Sequence, residues 1–210
     1  MNIKQPYPGL RPYEQHESEL FFGRDDQIRE LKNRLKLNRF VSIVGPSGSG
    51  KSSLVNAGLI PAIINQDAKW KVVKFKPGTA PINNLSIQLY EVFKNECNKS
   101  DVLNKDCKAQ TIKDCKPQTI IEAIQNKLSL SFFGLIKLFK EVIQLSDSDK
   151  CLINIDQFEE IFRYKPKNQI ENEAAAFVYL LEKTIKQKEI PPIYCSVNSV
   201  RLYWRLYEIL

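Results

Sequence analysis

Four short apolar runs frame the chain. Phe40-Val41-Ser42-Ile43-Val44 is β-branched and stops at a glycine, which predicts a buried strand over 40–44. Trp70-Lys71-Val72-Val73-Lys74-Phe75 alternates until Pro77-Gly78 and predicts a second strand over 70–75. Cys151-Leu152-Ile153-Asn154-Ile155 and, after Pro191-Pro192, Ile193-Tyr194-Cys195-Ser196-Val197 predict strands over 151–155 and 193–197. Between them the apolar spacing lengthens to that of helices. Ile28, Leu31 and Leu35 share a face of a helix ending near Leu37, with Asp25 as its candidate cap and Glu30–Arg34 as an i,i+4 pair. A helix starting at Leu54 is expected to stop near Pro61. Others are expected over 82–93, around Ile120 to Leu128, over 132–145 and over 174–188. Strands alternating with helices predict an α/β fold of three layers, a mostly parallel sheet with helices on both faces.

The first 20 or so residues break this rhythm. Pro6-Tyr7-Pro8-Gly9-Leu10-Arg11-Pro12-Tyr13 cannot form a regular helix and predicts an extended arm packed on the domain. His16, the single histidine, sits among polar residues and is expected on the surface.

The chemistry concentrates where the first strand ends. Gly45-Pro46-Ser47-Gly48-Ser49-Gly50-Lys51-Ser52-Ser53 fits G-x-x-x-x-G-K-[ST], with a strand before it and a helix after it as the mechanism requires. Glycines let consecutive N–H groups turn inward around a phosphate, and the next helix directs its partial positive charge at the same anion. On this reading Lys51 neutralises β/γ-phosphates, and the Ser52 hydroxyl is a ligand of Mg²⁺. About a hundred residues later the 151–155 strand delivers Asp156 to the sheet edge beside that loop, where it can hold Mg²⁺ through water. Gln157-Phe158-Glu159-Glu160 follows, so Glu159 or Glu160 is the candidate base that orients the attacking water. The sequence leaves that pair undivided.

Three stretches together carry a family resemblance: the Pro-Tyr-Pro-Gly-Leu arm, Phe21-Phe22-Gly23-Arg24 ahead of a helix, and Val44-Gly45-Pro46-Ser47-Gly48-Ser49-Gly50-Lys51-Ser52-Ser53-Leu54. In that order and spacing, with Asp156-Gln157-Phe158-Glu159-Glu160 after them, the chain resembles the STAND branch of P-loop NTPases. The group in question is the prokaryotic novel STAND NTPase 1 type, often fused to WD40 repeats. The resemblance implies that Phe22, Gly23 and Arg24 border the base of the nucleotide. It implies a sheet order of 1-4-3-2 with a further strand beside the first. It also implies a switch in signalling or defence that binds ATP, with GTP the second choice, together with Mg²⁺, and hydrolyses it slowly or not at all.

The family pattern stops after about Tyr194. Residues 1–20 are therefore expected to form the arm, 21–197 the NTPase domain incomplete at its C-terminus, and 198–210 a tail outside the family. Reading one base later turns Trp204 into Gly, and permitted codons turn Arg201 to Tyr207 into the family's Asp-Tyr-Ile-Gly-Asp-Cys. The tail is thus expected to be a shifted frame, and an unprotected strand edge predicts self-association.

Composition narrows the picture further. A net charge of +7 is spread over nearly the whole chain, which disfavours nucleic acid as a partner. The most apolar window, Leu128 to Phe139, contains Lys137 and is too short for a bilayer. Five cysteines without C-x-x-C spacing predict neither a disulfide framework nor a zinc site, and with no signal peptide they predict a cytoplasmic setting. Asp106 to Ile112 recurs almost intact as Asp114 to Ile120, an expected loop duplication, and Cys107 and Cys115 within it lack further metal ligands. Two other readings stay open: a remnant or adaptor that binds nucleotide or protein partners without turnover, and a nucleic-acid-associated ATPase.

Overall fold

The computed structural model describes residues 8–67, 69–104, 116–163, 170–188 and 191–199. The duplicated stretch with Cys107 and Cys115 lies outside them. Four parallel strands, β1 (Phe40–Val44), β2 (Trp70–Phe75), β3 (Lys150–Ile155) and β4 (Ile193–Ser199), form one sheet in the order β1-β4-β3-β2. Parallel neighbours require crossovers, and the helices supply them on both faces. This is the three-layer α/β arrangement and the strand order expected. Among the described residues β1 and β2 are the sheet's edges.

Alternation along the strands decides which residue serves which face. On β3, Leu152 joins Leu31, Leu35, Val55, Leu59, Ile60 and Ile63 in the cluster beneath α1 (Asp25–Leu37) and the helical run after β1. Its neighbours Cys151, Ile153 and Ile155 point the other way. There they meet α3 (Pro81–Val92), α4 (Pro117–Ser129) and α5 (Ile170–Lys186), with Phe93, Phe139, Phe158 and Phe177 at the centre. The first face turns polar toward the C-terminal ends of the strands. Leu152 and Tyr194 give way to Asn154 and Ser196, whose hydroxyl donates to Asn154 Oδ1 at 2.8 Å. Asp156 and Asn198 follow, so a buried polar ladder climbs to the sheet edge.

Several local expectations need correction. The helical run after β1, here α2, passes from Lys51–Ser53 through a π stretch at Leu54–Leu59 into Ile60–Ile64, so Pro61 does not end it. The Ile60 N–H reaches back five residues to Val55 O. That wider turn precedes the proline, which has no N–H to bond and whose ring would crowd an ordinary i−4 carbonyl. Gly58 lies in this stretch because a Cβ there would come within 2.8 Å of Ile28 on α1. Asp25 is the first residue of α1, not its cap, and no side chain caps that end. Gln15–Leu20 is a 3₁₀ helix, not extended, because Glu14 and Glu17 form a capping box around its start. β4 runs to Ser199, two positions past the apolar run, because Asn198 and Ser199 are still paired with Ile43 and Val44. The Glu30–Arg34 pair forms, at 2.5 Å. His16 is exposed, as expected.

Cys97, Cys151 and Cys195 are free and buried. Burial pushes the Cys97 and Cys195 thiols up to about 12 and Cys151 also upward, so none is a ready nucleophile. No helix among the described residues is long and apolar enough to cross a membrane.

Candidate functional site

β1 ends at Val44, and the Gly45 N–H donates to Ser199 O of β4 at 3.3 Å, so the loop leaves the sheet beside the strand that completes it. The Gly-rich loop then folds tightly. Ser49 N–H donates to Pro46 O at 3.2 Å, and Gly48 and Gly50 take φ of +77° and +82°, a conformation that a Cβ disfavours. The Lys51 ammonium donates to Gly45 O at 2.7 Å and Pro46 O at 2.8 Å, closing the loop across its mouth. The Leu54 N–H to Gly50 O bond at 2.8 Å starts the helix immediately.

This loop forms one wall of a cavity of about 550 Å³, within the range that holds a small-molecule ligand. Ser47, Gly48, Gly50, Lys51, Ser52 and Ser53 line it, whereas Gly45, Pro46 and Ser49 shape the loop without lining it. The opposite wall comes from the end of the polar ladder. Ser52 Oγ donates to Asp156 Oδ1 at 2.8 Å, joining residues 104 apart in the chain. Asn198 Nδ2 donates to the same oxygen at 3.3 Å. The Asp156 N–H is held by Phe75 O of β2 at 2.9 Å, which fixes the carboxylate at the sheet edge.

Beyond Asp156 the backbone reverses sharply. Gln157 takes φ of +55°, an uncommon left-handed turn for a residue other than glycine. The turn drives Phe158 into the core, where its N–H donates to Asn198 O at 3.0 Å. Glu159 then lies in the cavity wall, 7% exposed, while Glu160 opens the short helix Glu160–Arg163 and does not line the cavity. The structure thus separates two glutamates that the sequence leaves equivalent.

The third wall is the arm. Pro8 to Tyr13 line the cavity, and the Tyr13 N–H donates to Ser53 Oγ at 3.1 Å. Arg11 grips Glu17 with two bonds of 2.7 and 2.6 Å, and Glu14 pairs with Lys74 of β2 at 2.7 Å. Phe21 packs its ring on Tyr13 at 5.6 Å. Phe22, Gly23 and Arg24 do not line the cavity. Gly23 turns the chain at φ +76°, and Phe22 is left 80% exposed. The residues that sequence reasoning missed are Arg11, Tyr13, Gln157 and Asn198. The proline-rich arm was a visible signal for the first two. Nothing local marks Asn198, whose place depends on strand register.

The arm's anchor titrates. The Arg11 guanidinium beside Glu17, together with the Glu14 N–H, lowers the Glu17 carboxyl to about 2. A depressed carboxyl stabilises the fold above its unfolded value and loses that contribution as pH falls toward the folded one. Melting temperature is therefore expected to hold above about pH 5 and decline between about 4.5 and 2, with a shallower decline in Glu17→Gln. Identical acid profiles for the two proteins would contradict the tether.

Whether the site suits a magnesium-bound nucleotide is answered by its donors and acceptors. Two left-handed glycines open a cradle of N–H groups, and a hydroxyl and a carboxylate meet as a hard-oxygen pair suited to Mg²⁺. Asn198 Oδ1 is buried without a hydrogen-bond partner among the described residues. These features fit.

No curated protein matches the chain. Among solved structures it is similar to a Walker-type ATPase of Pyrococcus abyssi, at 13% identity and a TM-score of 0.44, covering 90% of this chain and 48% of that one. It is also similar to the ORC2 protein of Aeropyrum pernix, solved as ADPNP–ADP complexes, at 14% identity and a TM-score of 0.45, covering 97% and 46%. The chain spans about half the length of these structures. The novel STAND NTPase 1 family matches residues 6–201, which takes in the arm, the loop, Asp156 and the last strand. The chain belongs to the novel STAND NTPase 1 family.

Proposed function

We propose that the cavity binds ATP with Mg²⁺ and that the chain is the nucleotide-dependent switch module of a signalling or defence system, turning over slowly. The observation that carries this reading is the contact of Ser52 with Asp156 at 2.8 Å, in a cavity that Lys51 borders. Lys51, Ser53 and the N–H groups of Ser47, Gly48 and Gly50 hold phosphate oxygens, while Ser49 keeps the loop's shape through its bond to Pro46 O. Ser52 and Asp156 hold Mg²⁺, which when bound supplies charge neutralisation to the phosphates. Glu159 orients the attacking water and accepts its proton, and Asn198 positions Asp156. The arm walls the base end, and the family resemblance assigns Phe22, Gly23 and Arg24, outside the cavity lining, to the border of the base.

Slow turnover is supported by the residue after Asp156. Gln157, not a carboxylate, follows Asp156, and the next cavity-lining acid along the chain is Glu159, reached across a left-handed turn. Phosphoryl transfer depends on positioning, so a base placed this indirectly is expected to work slowly. Three buried free thiols suit a cytoplasmic setting. The edge position of β1 favours self-association or a protein partner there.

Calorimetric titration tests the reading. ATP with Mg²⁺ is expected to bind in the micromolar range, about tenfold tighter than GTP and about tenfold tighter than ATP with a chelator. Added duplex DNA is expected to leave phosphate release unchanged. No binding of Mg-ATP would overturn the proposal, and stimulation by DNA would favour the nucleic-acid ATPase instead.

A further inference from the structure

A second cavity lies at the opposite end of the sheet, and it shares no lining residue with the first. It has a volume of about 310 Å³, near the lower bound for small-molecule sites. Its floor is apolar: Leu35 of α1 and Ile63 of α2 are both buried. Its wall is aromatic. Trp70 opens β2 and Tyr194 stands near the start of β4, with ring centroids 5.0 Å apart and planes tilted by 47°.

The rim is cationic, and its charges are unevenly committed. Lys150 pairs with Asp67 at 3.0 Å and stands 5.6 Å from the Trp70 ring centre. Asp67 also accepts the Lys69 N–H at 3.1 Å, so its carboxylate is engaged on both oxygens and held below its usual range, chiefly by Lys150. On α1 the neighbouring Arg29 and Arg34 are paired with Asp26 and Glu30. Lys32 and Lys36 line the cavity, and among the described residues neither carries an ion pair. A hollow with an apolar floor, an aromatic wall and two ammonium groups that form no ion pair among the described residues matches one ligand chemistry: a flat ring bearing an anionic group.

We infer that this cavity is a binding site for a small aromatic anion, a single or fused ring carrying a sulfonate, carboxylate or phosphate. The ring packs against Trp70, Tyr194 and Leu35, and the anion lies between Lys32 and Lys36. Lys150, already neutralised by Asp67, holds the aromatic wall in place. Because the two cavities share no residue, this inference does not rest on the nucleotide reading.

The test uses naphthalene-1-sulfonate as probe, with methanesulfonate as the ringless anion and naphthalene-1-methanol as the uncharged ring. The probe is expected to bind one to one in the submillimolar range and at least about tenfold tighter than either fragment. The Lys32→Gln/Lys36→Gln double variant, both sites lying on a helix surface, is expected to fold normally and lose about tenfold in affinity. Lys71→Gln, outside the cavity, should leave affinity unchanged, and saturating Mg-ATP should not displace the probe. Absence of saturable binding, equal affinity in the double variant, equal binding of the ringless anion, or displacement by Mg-ATP would each overturn the inference. Should the double variant melt without cooperativity, Lys36→Glu alone carries the same expectation and the same refutation.

Discussion

Lys51→Ala is expected to lower ATP affinity by roughly a hundredfold or more while leaving the fold intact. The Lys51 ammonium spans the loop, donating to Gly45 O and Pro46 O at 2.7 and 2.8 Å, and it also lines the cavity. A phosphate can therefore recruit it by exchanging carbonyl acceptors for charged oxygens. Charge-assisted hydrogen bonds contribute about 1.5–3 kcal/mol each, so losing two predicts an affinity loss of roughly a hundredfold to tens of thousandfold. The ammonium is not the loop's only tie. Gly48, Gly50 and the Ser49 N–H to Pro46 O bond keep its shape, so the melting temperature without nucleotide is expected to stay within a few degrees of the parent. Lys51→Arg is not expected to restore binding, because a planar fork cannot replace a compact ammonium in the same loop. Calorimetric titration of both variants checks this, and unchanged ATP affinity in Lys51→Ala would remove the cavity's phosphate assignment.

What could be read before folding was whatever is written locally. The strand at 40–44, the loop after it and the strand that carries Asp156 are contiguous patterns, and the structure brings Lys51, Ser52 and Asp156 into one cavity. The strand order agrees with the family resemblance. Features set by long-range geometry were not legible. Asn198 follows the last apolar run and looks like the start of a tail. Only its pairing with Ile43 and its bond to Asp156 give it a place in the site. Tyr13 reaches Ser53 across 40 residues, and no periodicity announces that clasp. Pro61 is a reliable helix breaker except after a π stretch, and within that stretch Gly58 leaves room for Ile28 of another helix. In each case packing between elements overrode a sound local preference.

The same distinction separates Glu159 from Glu160. Two adjacent glutamates have equal local claims, but the left-handed turn at Gln157 and the burial of Phe158 rotate Glu159 into the cavity and leave Glu160 outside it. Phe158 fixes that rotation. Its ring is fully buried, 6.0 Å from Phe162 and 6.4 Å from Phe177, so the segment cannot roll without emptying part of the core. Glu159→Gln keeps shape and removes the proposed proton acceptor, and general-base catalysis is worth roughly 10²–10⁴ in rate. Single-turnover phosphate release is therefore expected to slow at least about a hundredfold in Glu159→Gln, with ATP affinity within about threefold of the parent. Glu160→Gln is expected to change both quantities by less than about threefold. A reversal of the two phenotypes would assign the base to Glu160. Equal release rates in the parent and both variants would show that neither carboxylate takes part, and would move the chain toward the reading in which nucleotide is bound without turnover.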